Sequence, residues 1–246
     1  MGARLALLLV KLLALVAALL VAVSGCKPAA APAPRVALAG HDAFFLWPGV
    51  RPPPEVAQAK TLYLLDGEVR RASNARLTVL RPAAPRITHA EVWLVIRLER
   101  LDWQPELTRK VMAELDRWQG AGSRVVGLQL DFDAGTRGLD RYAAFLRDIR
   151  SQLPRRYRLS VTGLLDWSAH GDPAALAKLG GTVDEVVIQT YQGRRTIPGY
   201  EGYLAGLSAL PFPYRVGVVE GGEWREPAGL TRDPHYRGTV VFLVRR

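Results

Sequence analysis

Cysteine is almost missing from this chain. Cys26 is the only one in 246 residues, so no disulfide can staple the chain to itself. Stability must come from a hydrophobic core, which a chain this long and 49% hydrophobic can supply. No glycine-rich phosphate loop follows any predicted strand, so a nucleotide site has no support. No G-x-S-x-G nucleophile elbow occurs either. The four histidines, His41, His89, His170 and His235, are scattered without ligand spacing, and His41-Asp42 fits a cap or turn. No cofactor is expected. Asp131 and Asp133 could contact a divalent ion, but no third ligand clusters with them, and no metal is expected. Acidic residues are in the minority, 23 against 33 basic, for a formal charge of +10.

The N-terminal 25 residues stand apart from the rest. Arg4 and Lys11 accompany a long Leu/Ala/Val run that ends at Val23-Ser24-Gly25-Cys26. This is the pattern of an export signal. Its end resembles the lipobox of bacterial lipoproteins, which implies that Cys26 is lipidated and becomes the mature first residue. An uncleaved membrane anchor is the alternative. Lys27 stands where an inner-membrane retention aspartate would, which points to the outer membrane, facing the periplasm. Residues 26–36 are Ala/Pro-rich and suit a tether, and 37–246 are expected to form one barrel. Removing Arg4 and Lys11 from the 33 basic residues leaves 31 against 23 acidic ones, or +8. In an exported protein such a charge meets anionic lipid or acidic polysaccharide rather than nucleic acid. An Ala/Arg/Gly/Pro-rich composition also fits a GC-rich genome.

Beyond the tether, eight principal strands are expected, near 43–47, 61–69, 91–98, 125–134, 157–165, 183–191, 214–219 and 238–244. A short stretch at 77–80 reads as a hairpin extension. Helices are expected at 105–120, 138–153, 173–179 and 200–210, with a helical turn within 52–59. In the first, Leu107, Val111, Leu115 and Trp118 repeat at helical spacing. Asp172 is a plausible N-cap for the third. This alternation predicts an α/β fold with parallel strands, and eight strands favour a closed (β/α)8 TIM-like barrel over an open sheet. The barrel is expected to be incomplete, with no helix between the second and third strands and none after the last.

The chemistry concentrates in Val125–Ala134. This short apolar run reads as a buried strand, yet Gln129, Asp131 and Asp133 fall at spacing two and leave one face together. In a barrel that face looks inward, and its last residues reach the C-terminal mouth, where active sites sit. The alternative is a buried polar network between strands. Other strand ends add Asp66, Glu99, Asp166, Tyr191 and Glu220 to an expected polar ring, with Trp47, Trp167 and Trp224 close by. Carboxylates beside flat aromatic rings suit carbohydrate: an acid protonates a glycosidic oxygen, and rings stack on sugar faces.

Gly127-Leu128-Gln129-Leu130-Asp131-Phe132-Asp133 resembles the fourth-strand motif G-x-D-x-D-x-E of chitinase-like glycoside hydrolases. Val187-Ile188-Gln189-Thr190-Tyr191-Gln192 is similar to their sixth-strand motif, which ends in tyrosine and aspartate. The resemblance implies that Asp133 is the proton donor, that Asp131 steers an acetamido group, and that Tyr191 holds the reacting sugar. Gln129 and Gln192 stand where the family has aspartates, and Asp133 is one methylene shorter than glutamate. The chain also resembles an uncharacterised family of bacterial lipoproteins with a Q-x-D-x-D strand and a later Thr-x-Leu-x-x-Trp-like segment, here Thr162-Gly163-Leu164-Leu165-Asp166-Trp167. That resemblance implies fold and export, with no established activity.

The expected assignment gives Asp133 as general acid, its pKa raised by burial and by Asp131, with Asp131 ionised and Asp166 as a second carboxylate. Tyr191, Gln129, Gln192, Trp167, Arg97, Glu220 and Trp47 are the candidate sugar contacts, and Arg97 neutralises Asp131 or binds an acidic substituent. The expected function is a lipid-anchored envelope protein acting on polysaccharide, or binding it without turnover. A scaffold for an envelope complex is the third reading.

Overall fold

A computed structural model describes residues 34–244. The signal run, Cys26 and most of the tether lie outside the described residues. The fold follows from the alternation in its strands. Among the described residues, eight parallel strands close on themselves: β1 (Ala43–Leu46), β2 (Thr61–Val69), β4 (Glu91–Leu98), β5 (Val125–Asp131), β6 (Arg158–Leu164), β7 (Glu185–Gln189), β10 (Tyr214–Val219) and β11 (Tyr236–Phe242). β11 pairs back onto β1, with Phe45 opposite Phe242, and β1 pairs onto β2, with Phe45 opposite Tyr63. The expected TIM-like α/β barrel is therefore present and closed.

Each strand sends alternate residues to two separate apolar clusters. Ala43, Phe45, Tyr63, Leu65, Trp93, Val95, Val187, Val240 and Phe242 fill the barrel's interior. Leu128 and Leu130 of β5 face outward into the larger cluster. That cluster includes Leu107, Val111, Leu115 and Trp118 of α1 (Pro105–Gly120), and Tyr142, Leu146 and Ile149 of α2 (Leu139–Gln152). Each such buried aliphatic side chain contributes about 1.5–3 kcal/mol, so these stripes hold the helices to the barrel. The interior is crowded enough to demand glycine. A Cβ on Gly127 would lie 2.4 Å from both Cζ3 of Trp93 and the Arg158 carbonyl oxygen. Gly127 thus admits the indole of Trp93, which the neighbouring strand presents at the same level.

The gap between β2 and β4 contains no helix among the described residues. β3 (Thr78–Val79) instead runs antiparallel to Gly67 and Glu68, forming the expected hairpin extension. Arg81 then secures the strand ends, donating from Nε to the Leu65 carbonyl (2.9 Å) and from Nη2 to the Leu46 carbonyl (3.0 Å). A register shift between Leu65 and Gly67 accompanies Asp66. This acid is fully buried and accepts from Trp118 Nε1 at 2.9 Å and Arg117 Nη2 at 3.2 Å. It links β2 to α1 and does not join the polar ring. Burial, then the neighbouring Glu114 carboxylate, pushes its pKa up to about 7.

The remaining helices are α3 (Trp167–His170), α4 (Pro173–Gly180) and α5 (Tyr200–Leu204). Asp172 caps α4, its carboxylate accepting from the Ala175 amide at 2.8 Å. Pro34 to Val36 lie against the barrel: Arg35 bridges Glu223, and the Val36 amide donates to the Gly222 carbonyl at 2.8 Å. These backbone groups find partners on the barrel. Among the described residues no helix is long and apolar enough to cross a membrane.

At the N-terminal end of the barrel the interior is polar and saturated. Tyr63 donates its hydroxyl to Glu185 Oε1 at 2.5 Å, and Arg215 Nε donates to Oε2 of the same carboxylate at 3.0 Å. Arg158 lies over the Trp93 ring at 4.9 Å and pairs with Glu91 at 2.8 Å.

Candidate functional site

β5 lifts its polar face along the barrel axis. Gln129 is fully buried and donates from Nε2 to Ser160 Oγ at 3.0 Å, while its Oε1 has no partner among the described residues. Asp131, one step higher, is 6% exposed, and its Oδ1 accepts from Thr162 Oγ1 at 2.8 Å. Asp133 lies past the strand's last residue, with 65% of its side chain exposed. Arg97, which neighbours Asp131 in register on β4, reaches Asp133 at 4.0 Å and sits 5.6 Å from the Trp47 ring centroid.

These groups line one open cavity of about 690 Å³ at the C-terminal mouth. Its walls hold Trp47, Arg97, Asp131, Asp133, Asp166, Tyr191 and Gln192 from the sequence-based expectation, together with Leu164, Gln189, Ile197 and Tyr203. Tyr191 and Gln192 form β8 and pair with β9 (Arg195–Thr196), a small hairpin placed just after β7. The Tyr191 ring packs 5.0 Å from that of Phe242. Asp166 sits at the turn into α3, where its carbonyl accepts from the Ala169 and His170 amides; its carboxyl Oδ1 is buried without a partner among the described residues.

Several expected contacts lie elsewhere. Trp167 is buried in the outer cluster, donating its indole N–H to the Ala134 carbonyl at 2.8 Å, so it braces the loop after β5 from behind. Gln129 is below the cavity, sealed by Asp131 and its neighbours. Glu220 lines a different hollow with Leu38, Val50 and Leu243, and accepts from the Val244 amide at 3.3 Å. Glu99 is exposed and accepts from the Arg71 amide at 2.7 Å. Trp224 is 9% exposed and stacks on Tyr200 at 5.3 Å. Gln189, which the expectation missed, was open to detection: Val187, Gln189 and Tyr191 share the inward parity. Tyr203 comes from a short helix and carried no such signal.

Burial raises the pKa of Asp131, opposed by the Thr162 hydrogen bond and by Arg97. Burial, with the two aspartates adding to it, also holds the Tyr191 hydroxyl well above its ordinary value, so this tyrosine stays a neutral hydrogen-bonding group. Among the described residues no group of three or more His, Cys, Asp or Glu stands ready to hold a metal ion.

Comparison with known proteins bears on the fold. No curated protein sequence matches this chain. Among solved structures, the xylanase and alpha-amylase inhibitor protein XAIP-II from Scadoxus multiflorus is similar over 82% of this chain and 92% of its own, with a TM-score of 0.51 and 11% identity. The chitinase domain of the spore coat protein CotE from Clostridium difficile aligns with 78% of this chain and 67% of its own (TM-score 0.49, 12% identity). The Bacillus cereus spore cortex-lytic enzyme SleL aligns with 73% of this chain (TM-score 0.47, 19% identity), and this chain spans half of that enzyme's length. The first of these supports a TIM-like α/β barrel as the architecture, and at such identity the likeness speaks to fold alone. Residues 84–197, which hold Arg97, Asp131, Asp133, Asp166 and Tyr191, match the sequence family described as a domain of unknown function, DUF3142.

Proposed function

We propose that this is a lipid-anchored envelope protein whose barrel holds a polysaccharide across its C-terminal mouth and acts on it through strand-end carboxylates. The observation that carries this reading is the convergence of Asp131, Asp133 and Asp166 with Trp47 and Tyr191 on one open cavity. A polymer suits the site better than a single sugar. Trp47 and Tyr191 also border a second hollow of about 500 Å³, lined by Leu65, Leu80, Phe242 and Arg194, so the surface continues past the cup.

In the catalytic version, Asp131 and Asp133 supply the proton that the glycosidic oxygen takes as the C–O bond breaks. Asp131 is the member that burial biases toward the protonated form, and Arg97 lies 4.0 Å from Asp133. Water adds to the anomeric carbon and gives its proton to Asp166. Hydrolysis of a glycan panel by wild type, Asp131→Asn and Asp133→Asn tests this: turnover in the wild type and its loss in both variants is expected, and equal turnover in all three contradicts it. The non-catalytic version is favoured by one specific feature, the short Asp133 side chain engaged by Arg97. A displacement of 1 Å at a reacting group can cost about a hundredfold in rate. Saturable binding without turnover selects this version. The anchor rests on the lipobox-like end of the signal run. Metabolic labelling with a fatty-acid probe is expected to mark the wild type, and label retained by Cys26→Ser contradicts the assignment.

A further inference from the structure

We infer that the sugar seated in the cup carries a protonated amine, so that the ligand class is a glycan with free amino groups. The inference rests on the polysaccharide reading above and narrows it. Three carboxyl groups, Asp131, Asp133 and Asp166, line the cup, and among the described residues Arg97 is the one cation that lines it. Arg97 sits beside Asp133 and over Trp47. The other two acids are left short of donors. Asp131 is 6% exposed, and among the described residues its hydrogen bond is the one from Thr162 to Oδ1; Asp166 Oδ1 is buried with no partner among the described residues. This acidic cup belongs to a chain whose formal charge is +10, so its sign is local and opposite to that of the whole.

Ligand chemistries differ in how they meet that arrangement. A sugar carboxylate adds a like charge to a cup already lined by acids. A hydroxyl or an N-acetyl group offers one donor and no charge. An ammonium brings three donors and a full positive charge, and hydrogen bonds between charged partners are roughly twice as strong as neutral ones. Trp47 and Tyr191 supply the faces on which the sugar ring lies, and the ring of either also attracts a cation.

The test is calorimetric titration of the detergent-solubilised full chain. The probes are a chitosan oligosaccharide, the N-acetylated chitin oligosaccharide of the same length, a neutral glucan oligosaccharide and an oligouronate. The chitosan probe is expected to bind about tenfold or more tighter than the others at low salt, and the margin is expected to shrink as salt rises. Asp166→Asn and Asp133→Asn are each expected to narrow it; Asp133 is exposed, so its variant folds. Equal or tighter binding of any other probe overturns the inference and leaves the polysaccharide reading standing. A margin untouched by both variants overturns it too, and binding of none of the four overturns both.

Discussion

The two ends of this barrel carry buried carboxylates in opposite circumstances. At the N-terminal end Glu185 has a partner on each oxygen, the Tyr63 hydroxyl and the Arg215 guanidinium. At the C-terminal end Asp131 is just as deeply buried but keeps one oxygen bonded to Thr162 and turns toward an open cavity. Both are inward-facing acids on parallel strands, and strand pattern alone does not separate them. What separates them is satisfaction. A carboxylate with both oxygens engaged is a fastener, while one held by a single hydroxyl beside an open cavity retains bonding capacity for a ligand.

That contrast predicts where substitution hurts. The largest effect is expected from Glu185→Ala. It strands the Tyr63 hydroxyl and the largely buried Arg215, and should cost about 3–5 kcal/mol in urea unfolding. Asp131→Asn should behave in the opposite way. Its raised pKa means that the ionised form is the less stable one when folded, so stability is expected to fall as pH rises through the acid range. Melting at pH 8 should show the Asn variant at least as stable as wild type. A loss comparable to that of Glu185→Ala would erase the distinction between the two ends.

Asp66 sharpens the comparison as a third buried acid, with a structural task. Its pKa moves from 3.8 to about 7, so the folded state binds the extra proton. The associated stability is present at pH 4 and lost as pH rises toward 7, by up to roughly 4 kcal/mol. Asp66→Asn is expected to flatten that slope in chemical unfolding curves taken across the range, and an unchanged slope would place the titration elsewhere. Within the interior, Gly127→Ala should cost about 1–3 kcal/mol by forcing Trp93 or the Arg158 backbone to shift. Asp133→Asn should change unfolding by less than about 0.5 kcal/mol, since its pair with Arg97 is exposed.

The same physics explains what could be read in the sequence. Gln129, Asp131 and Asp133 were legible because parity on one strand fixes a face, and a closed ring turns that face into an interior. Parity also placed Trp47 above Ala43 and Phe45. It would equally have excluded Glu220, which follows the inward Val219 and so points out, and Trp167, which follows the inward Asp166. Nearness to a strand end suggests both, but it ignores which side of the wall a side chain leaves. Asp66 sits on the outward step at a register shift, where its task depends on Trp118 some fifty residues away. No local pattern reports such a pairing. Tyr203 enters the cup from a short helix whose position the strand pattern does not specify.

On the proposed reading, the mouth acids meet a glycan while the opposite end only fastens the barrel. Titrating the glycan panel against wild type and Asp131→Asn, with melting curves on both, tests it most directly. The account predicts saturable binding by the wild type, weakened about tenfold or more in a variant that melts no lower. Binding left intact in Asp131→Asn, or lost only along with the fold, would contradict it.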